Sequence, residues 1–233
     1  MKSLLTFTSP PERCEYLPAQ TWQLQYELVG RLTRDEYATR LKSGWRRFGY
    51  MLFRPACPSC RRCQSLRVPI ATFQPDRSQR RAWKANEGTV SIVIGPPSKS
   101  PEKEALRERF QRYQHGARGW PLETADYDEM FVDNPFPTEE WCYYVGDQLL
   151  AVGYVDRLAD GLSAIYLFYD PEERHRALGT FNILALIAAA RERGLPYLYL
   201  GYYVEGCRSL EYKARFRPSE ILVPSGEWVP FTM

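Results

Sequence analysis

The residues best suited to chemistry fall into three groups. The first is Cys57-Pro58-Ser59-Cys60-Arg61-Arg62-Cys63, a turn between two strand-like runs in which three thiols recur at C-x2-C-x2-C spacing. Thiolates so spaced can reach one ion, and structural zinc is closed by four ligands, which makes Cys14 the candidate to complete a set with Cys57, Cys60 and Cys63. The same spacing occurs in iron–sulfur proteins, although the usual fourth local cysteine is absent. Free cysteine is often only a small buried hydrophobe, but three within seven positions favour metal binding over that reading; Cys142 and Cys207 have no ligand spacing to the others.

The second group is Tyr197–Pro218, YLYLGYYVEGCRSLEYKARFRP. Its first half reads as a buried strand reaching Gly201, where the missing side chain lets another group approach the backbone. Its second half turns at Gly206 into a run carrying Lys213, Arg215 and Arg217. A strand that delivers the chain into a tyrosine-lined, cationic loop can form the floor and wall of a binding site. The third group is a set of cations in the first part of the chain, Arg46, Arg47, Arg54, Arg61, Arg62, Arg67, Arg77, Arg80, Arg81 and Lys84, with aromatics such as Trp45, Phe48, Phe53 and Trp83 among them. Arginine with aromatic surface suits phosphates and unstacked bases; a solvated basic face is the commoner cause of such a pattern.

Composition sets outer bounds. A chain of 233 residues with 44% hydrophobic content can bury a core as one large domain or two small ones. A net charge of +3 and a pI near 8.5 do not by themselves announce a nucleic-acid binder. No basic segment followed by an apolar run opens the chain, and no stretch has about 18 consecutive apolar residues, so the expectation is a cytoplasmic protein. In that reducing setting clustered thiols point to metal or redox chemistry rather than disulfides.

The elements that must position these groups follow from local signals. Residues before Cys14 read as an irregular arm, and Thr33-Arg34-Asp35-Glu36 as a capping box that opens a short helix stopped at Gly44. Trp45–Arg54 and Ser65–Ile70 read as strands on either side of the cysteine turn. Thr89–Ile94 is a further strand, and Gly95-Pro96-Pro97-Ser98-Lys99 is the connector between a domain spanning 1–95 and one spanning 96–233. Ser100 caps a helix with Pro101 in its first position and Gly116 at its end; His115, near that end, reads as exposed or capping. Trp141–Val145 and Leu149–Val155 form a hairpin around Gly146-Asp147. Ser163–Tyr169 returns as a strand, Ala177–Arg193 is an apolar helix, and Tyr197 begins the last core strand.

Several separated motifs in this order, Asp160-Gly161-Leu162-Ser163-Ala164, Phe168-Tyr169-Asp170-Pro171, Leu178-Gly179-Thr180 and the Tyr197–Pro218 stretch, resemble the bacterial aminoacyl-tRNA-protein transferases. These are leucyl-transferring enzymes acting on proteins with amino-terminal Asp or Glu, related to the arginyl-tRNA-protein transferases of eukaryotes. The likeness runs from about Cys14 to Trp228. It implies an α+β, acetyltransferase-like (GNAT-type) mixed sheet with helices in the second domain, and a cysteine-rich first domain that binds metal and tRNA. An iron–sulfur cluster has been proposed for arginyl-transferring members, whose cysteines are differently spaced. Arg77-Ser78-Gln79-Arg80-Arg81 resembles a family motif, which favours tRNA contact by Arg77, Gln79, Arg80 and Arg81 over a solvated helix face.

The implied reaction is attack by a protein's amino-terminal amine on the aminoacyl ester of a charged tRNA, marking the acceptor for N-degron degradation. Leucine is the favoured donor, arginine the alternative; neither ATP nor coenzyme A is expected. Where an acetyltransferase would cradle pyrophosphate on small residues, this chain has Phe181, which speaks against an acyl-coenzyme A enzyme. A zinc-containing RNA-binding module without catalysis is the non-enzymatic alternative. Candidate proton handlers are Asp170, Tyr169 and His175. Tyr166, Phe168, Tyr199 and Tyr202 are the expected walls of the donor pocket, with Gly201 at its floor; simple core, the usual place of alternate strand residues, is the equal alternative for these aromatics. Lys213, Arg215 and Arg217 either clamp the acceptor's carboxylate or do no more than line the surface or touch tRNA phosphate.

Overall fold

The computed structural model describes residues 2–116 and 125–232. The first part of the chain forms β1 (Ser3–Thr8), β2 (Glu12–Arg13), β3 (Thr21–Trp22), β4 (Leu24–Val29), α1 (Arg34–Lys42), β5 (Arg46–Phe48), β6 (Met51–Pro55), β7 (Gln64–Pro69), α2 (Arg77–Lys84) and β8 (Ser91–Gly95). The second part forms α3 (Pro101–Gly116), β9 (Thr138–Val145), β10 (Gln148–Arg157), β11 (Gly161–Tyr169), α4 (Leu178–Glu192), β12 (Tyr197–Tyr203), α5 (Arg208–Glu211), β13 (Glu220–Leu222) and β14 (Trp228–Pro230).

Local chemistry explains many of these boundaries. At the start of α1 the Glu36 amide donates to Thr33 Oγ1 and the Thr33 amide to Glu36 Oε2, so each satisfies a free end of the first turn. α2 opens on the same device built from Asp76 and Gln79. Ser100 Oγ accepts from the Lys103 amide at the start of α3. Trp45–Arg54 is two strands rather than one, because Gly49 and Tyr50 turn the chain between β5 and β6.

Two larger sheets result. One has four strands in the order β1-β4-β6-β5, and the other has eight in the order β14-β13-β7-β12-β11-β10-β9-β8. The amino-terminal segment is thus not an irregular arm: β1 pairs antiparallel with β4, covering the edge it would otherwise leave open. Hydrogen bonding also ignores the expected boundary at residue 95, since β7 and β8 both lie before it and both belong to the eight-stranded sheet. β7 runs between β12 and β13, so a cut at 95 would remove a central strand.

Within the larger sheet, β9, β10 and β11 run antiparallel, α4 crosses over, and β12 returns parallel to β11. This is the α+β, acetyltransferase-like order. α4 is apolar on nearly every side, as a helix covered by sheet and α2 must be. Leu186 of α4 and Leu150, Leu162 and Leu198 of the sheet beneath it are fully buried, each contributing about 1.5–3 kcal/mol. Phe131, Tyr154 and Phe168 fill a second core on the opposite face, against α3. Among the described residues no helix is long and apolar enough to cross a membrane.

Candidate active site

The candidate site lies where two strands part. β11 and β12 pair only at Gly161–Tyr197, Leu162–Leu198 and Ser163–Tyr199. Beyond Ser163, β11 continues along β10 to Tyr169, while beyond Tyr199 β12 continues along β7 to Tyr203. The strands therefore open a wedge in the middle of the sheet, whose carbonyls need partners from elsewhere.

Arg46 from β5 supplies one. Its Nη2 donates to the Ala164 carbonyl at 2.7 Å, at the first β11 residue past the paired region. The guanidinium lies flat against Gly201: a Cβ there would stand 3.3 Å from Nη2 and 3.4 Å from Nε. Gly201 also has φ +82°, at the point where the β12–β7 register slips. Conformation and space both call for glycine.

Lys213 approaches from the other side, its Nζ donating to the Tyr202 carbonyl at 2.9 Å. Burial, then the neighbouring Arg46 charge, lower the Lys213 pKa to about 7, with the Cys207 thiol opposing. Among the described residues neither Arg46 nor Lys213 pairs with a carboxylate. Around them stand Phe48, Phe53, Tyr166 and Tyr202: Phe48 meets Tyr166 edge-on at 5.9 Å and stacks on Phe53 at 5.8 Å, and Phe53 meets Tyr202 at 6.4 Å. The Tyr202 hydroxyl donates to the Gly44 carbonyl at 2.9 Å, and burial holds its pKa above the ordinary phenol value. Both sheets thus contribute to one aromatic, cationic cup.

Arg47 fixes that arrangement. Successive strand residues face opposite ways, so Arg47 points from β5 away from the wedge. Its guanidinium holds Asp156 at 2.6 and 3.0 Å, the Gly49 carbonyl at 2.7 Å, Asn134 at 2.6 Å and Thr138 at 2.9 Å. Both members of the ion pair are fully buried and well satisfied, and they pin the β5–β6 hairpin to β10.

The expected site residues divide accordingly. Tyr166, Tyr202, Gly201 and Lys213 come together in the cup. Phe168 is instead core, packed with Phe131 and Tyr154, and Tyr199 belongs to a third cluster, its hydroxyl 3.1 Å from Asp160. Arg215 and Arg217 are exposed outside the wedge, Arg215 lining an open cavity of about 780 Å³ with Tyr203, Tyr212 and Phe231. Asp170 has both oxygens engaged: Oδ1 accepts from the Glu172 amide at 3.0 Å, capping the turn Pro171–Arg176, and Oδ2 meets Arg109 at 3.2 Å. Tyr169 packs edge-on against Phe110 at 4.9 Å, and His175 is exposed, 3.7 Å from Glu173. Gln79 is buried and donates to the Arg215 carbonyl at 3.0 Å, so it ties α2 to the Lys213 segment instead of facing solvent. Arg77, Arg80 and Arg81 remain exposed on that helix.

Five of the six cysteines share one neighbourhood, while Cys142 lies apart in the core against α3. Burial, then the nearby thiols of Cys57, Cys14, Cys60 and Cys207, push the Cys63 pKa up to about 12. Cys14 Sγ accepts from the Leu17 amide at 3.4 Å, and Cys57 Sγ donates to the Gln23 carbonyl at 3.7 Å. The donor set suits a soft ion, but among the described residues no three Cys, His, Asp or Glu side chains are gathered closely enough to hold one. Sequence spacing also missed Cys207, which β12 carries to Cys63, and Arg46, one of many arginines until Gly201 shows where it lies.

Residues 12–81 match the family described as "Arginine-tRNA-protein transferase, N terminus", and residues 102–223 match its "C terminus" counterpart. The chain belongs to this family. Its relatives include proteins named "Aspartate/glutamate leucyltransferase": that of Methylobacterium sp. (strain 4-46) is 41% identical over 234 residues, 94% of each chain. That of Gluconacetobacter diazotrophicus is 38% identical, covering 97% of this chain and 87% of its own, and one from Campylobacter jejuni is 34% identical, covering 93% and 92%. Among solved structures, L-PGS from Bacillus licheniformis has a TM-score of 0.49 at 12% identity, covering 75% of this chain and 51% of its own. Within the family's two matched regions, Arg46 lies in the amino-terminal one and Gly201 and Lys213 in the carboxy-terminal one, so the cup is assembled from both.

Proposed function

We propose that this enzyme transfers leucine from leucyl-tRNA to the amino-terminal amine of proteins that begin with Asp or Glu. The observation that carries the reading is similarity over nearly the whole chain to proteins named for that activity. The acceptor amine attacks the ester carbonyl; a C–N bond forms, the bond to the ribose oxygen breaks, and the amine's proton is lost as that oxygen gains one. An α-amine has a pKa of about 7.7–8.0, so a useful fraction is neutral at cellular pH. The ester arrives activated, which leaves the protein chiefly to hold amine and carbonyl together.

The aromatic cup of Phe48, Phe53 and Tyr166 suits a leucyl side chain. An arginyl group would want a carboxylate, and the nearby candidates are occupied or elsewhere: Asp170 is capped and paired, Glu211 accepts from the Gly206 amide at 2.6 Å, and Glu205 lines the open cavity. The exposed arginines of α2, joined to the Lys213 segment through Gln79, provide a surface for tRNA phosphate.

The test mixes purified protein with peptides beginning with Asp, Glu or Ala and with separately prepared leucyl-tRNA and arginyl-tRNA. Mass spectrometry should show a leucine added to the acidic peptides only. An arginine mass, or addition to the Ala peptide, overturns the reading.

A further inference from the structure

Arg46 and Lys213 pose an electrostatic problem that the described residues do not solve. Arg46 is only 6% exposed, yet one contact, to the Ala164 carbonyl, accounts for its hydrogen bonding; Nε and Nη1 meet no acceptor among the described residues. Lys213 uses one of its three ammonium hydrogens, on the Tyr202 carbonyl. Two cations held side by side and partly desolvated raise each other's cost, and the neighbouring Arg47 shows how this fold satisfies a guanidinium when its role is structural. Unmet donors on adjacent cations, at the floor of an aromatic cup, make a receptor for one small planar anion.

We propose that Arg46 and Lys213 are the receptor for the side-chain carboxylate of the acceptor's first residue. The assignment rests on the function proposed above and names the residues that would give it acidic specificity. A guanidinium presents paired N–H groups that match a carboxylate's two oxygens, and Lys213 adds a point charge beside it. Seating the carboxylate there places the α-amine a few bonds away, beside the part of the cup left for the aminoacyl ester. The tRNA backbone is the other source of an anion, but Arg77, Arg80 and Arg81 are exposed on α2 and offer its phosphates contacts outside the wedge. An Asn or Gln side chain has the right shape but brings no charge, and so leaves both cations unpaired.

The experiment measures binding of labelled pentapeptides beginning with Asp, Asn or Ala to the full chain by fluorescence anisotropy, with and without uncharged tRNA. Binding of tRNA is followed separately. The wild type should prefer Asp over Asn by at least about 30-fold, the scale of a desolvated charge pair. Arg46→Gln and Lys213→Met should each lose most of that preference, leaving tRNA affinity within about two-fold, and Arg46→Lys should recover part of it. Circular dichroism melting checks folding, and if Arg46→Gln does not fold, Lys213→Met and Arg46→Lys still decide. The proposal is overturned if the wild type shows no preference for Asp in either condition, or if the variants keep it. It also fails if they lose tRNA affinity while keeping the preference, which assigns the cations to phosphate. A wild type that binds the Asp peptide through Arg46 but transfers no leucine keeps the receptor and removes the function.

Discussion

Replacing Gly201 with alanine tests the geometry of the wedge in a way that can be worked through in advance. A methyl at φ +82° costs about 1–2 kcal/mol from the left-handed backbone alone. The same methyl would stand 3.3 Å from Arg46 Nη2, so the guanidinium must shift and its hydrogen bond to Ala164 weakens, at about 1.5–3 kcal/mol for a charged donor. Because the guanidinium is the far end of a flexible chain, part of that loss is recovered elsewhere, and a total of about 2–4 kcal/mol is expected. For a chain of this size that lowers Tm by about 5–15 °C. Gly206→Ala is the control: Gly206 shares φ +82°, but a Cβ there meets only Leu17 Cδ2, at 3.5 Å. Both variants bear the backbone cost and only Gly201→Ala moves Arg46. Thermal melting and transfer kinetics with an Asp peptide should therefore show a larger Tm loss and a raised acceptor KM for Gly201→Ala alone. Equal Tm losses and equal KM values in the two variants would refute the idea that Gly201 exists to seat Arg46.

Three further outcomes follow from named contacts. Arg47→Met leaves the Asp156 carboxylate buried and unpaired, and should cost about 3–5 kcal/mol in denaturant unfolding; a loss below about 1 kcal/mol would mean the β5–β6 hairpin is held by something else. Lys213→Met removes an amine whose folded pKa, about 7, lies below its ordinary value of 10.5, so the wild type carries a stability penalty that is complete below pH 7 and fades as pH rises toward 10.5. The variant's Tm should exceed the wild type's most at pH 6 and least near pH 10, and the opposite trend would show that the ammonium is not disfavoured in the fold. Asp170→Asn keeps a capping oxygen and loses only a partly exposed ion pair with Arg109, so leucyl transfer should stay within about three-fold of wild type; a hundred-fold loss would return Asp170 to the chemistry.

Much of the scaffold was legible because its determinants sit within a few residues of one another. Thr33 and Glu36 satisfy each other's amides, Ser100 and Pro101 open α3, and Gly146-Asp147 closes the β9–β10 hairpin whatever the rest of the chain does. The strand, strand, strand, helix, strand order of the second half was equally visible in its periodicity. The family motifs marked Tyr197–Pro218 as the place to look, and Gly201 announced a close approach without saying by what.

What approaches Gly201 is Arg46, bonded to Ala164 across 118 positions of sequence. Spacing cannot choose between Arg46 and Arg47, neighbours of identical type, because the choice is made by which face of β5 meets the wedge and which meets Asp156. Register likewise decided that Phe168 and Tyr199 are core while Tyr166 and Tyr202 line the cup, and that Cys207 joins the cysteine turn. β1 and β7 found their partners only through pairing with distant strands, which is why an arm and a domain boundary at residue 95 were expected where the structure has sheet. The sequence by itself determined most of the elements, the order of the core and the family, since caps, turns and periodicity are local energies. Tertiary structure decided which cations have no carboxylate partner among the described residues, because that depends on burial and on carboxylates brought from far along the chain.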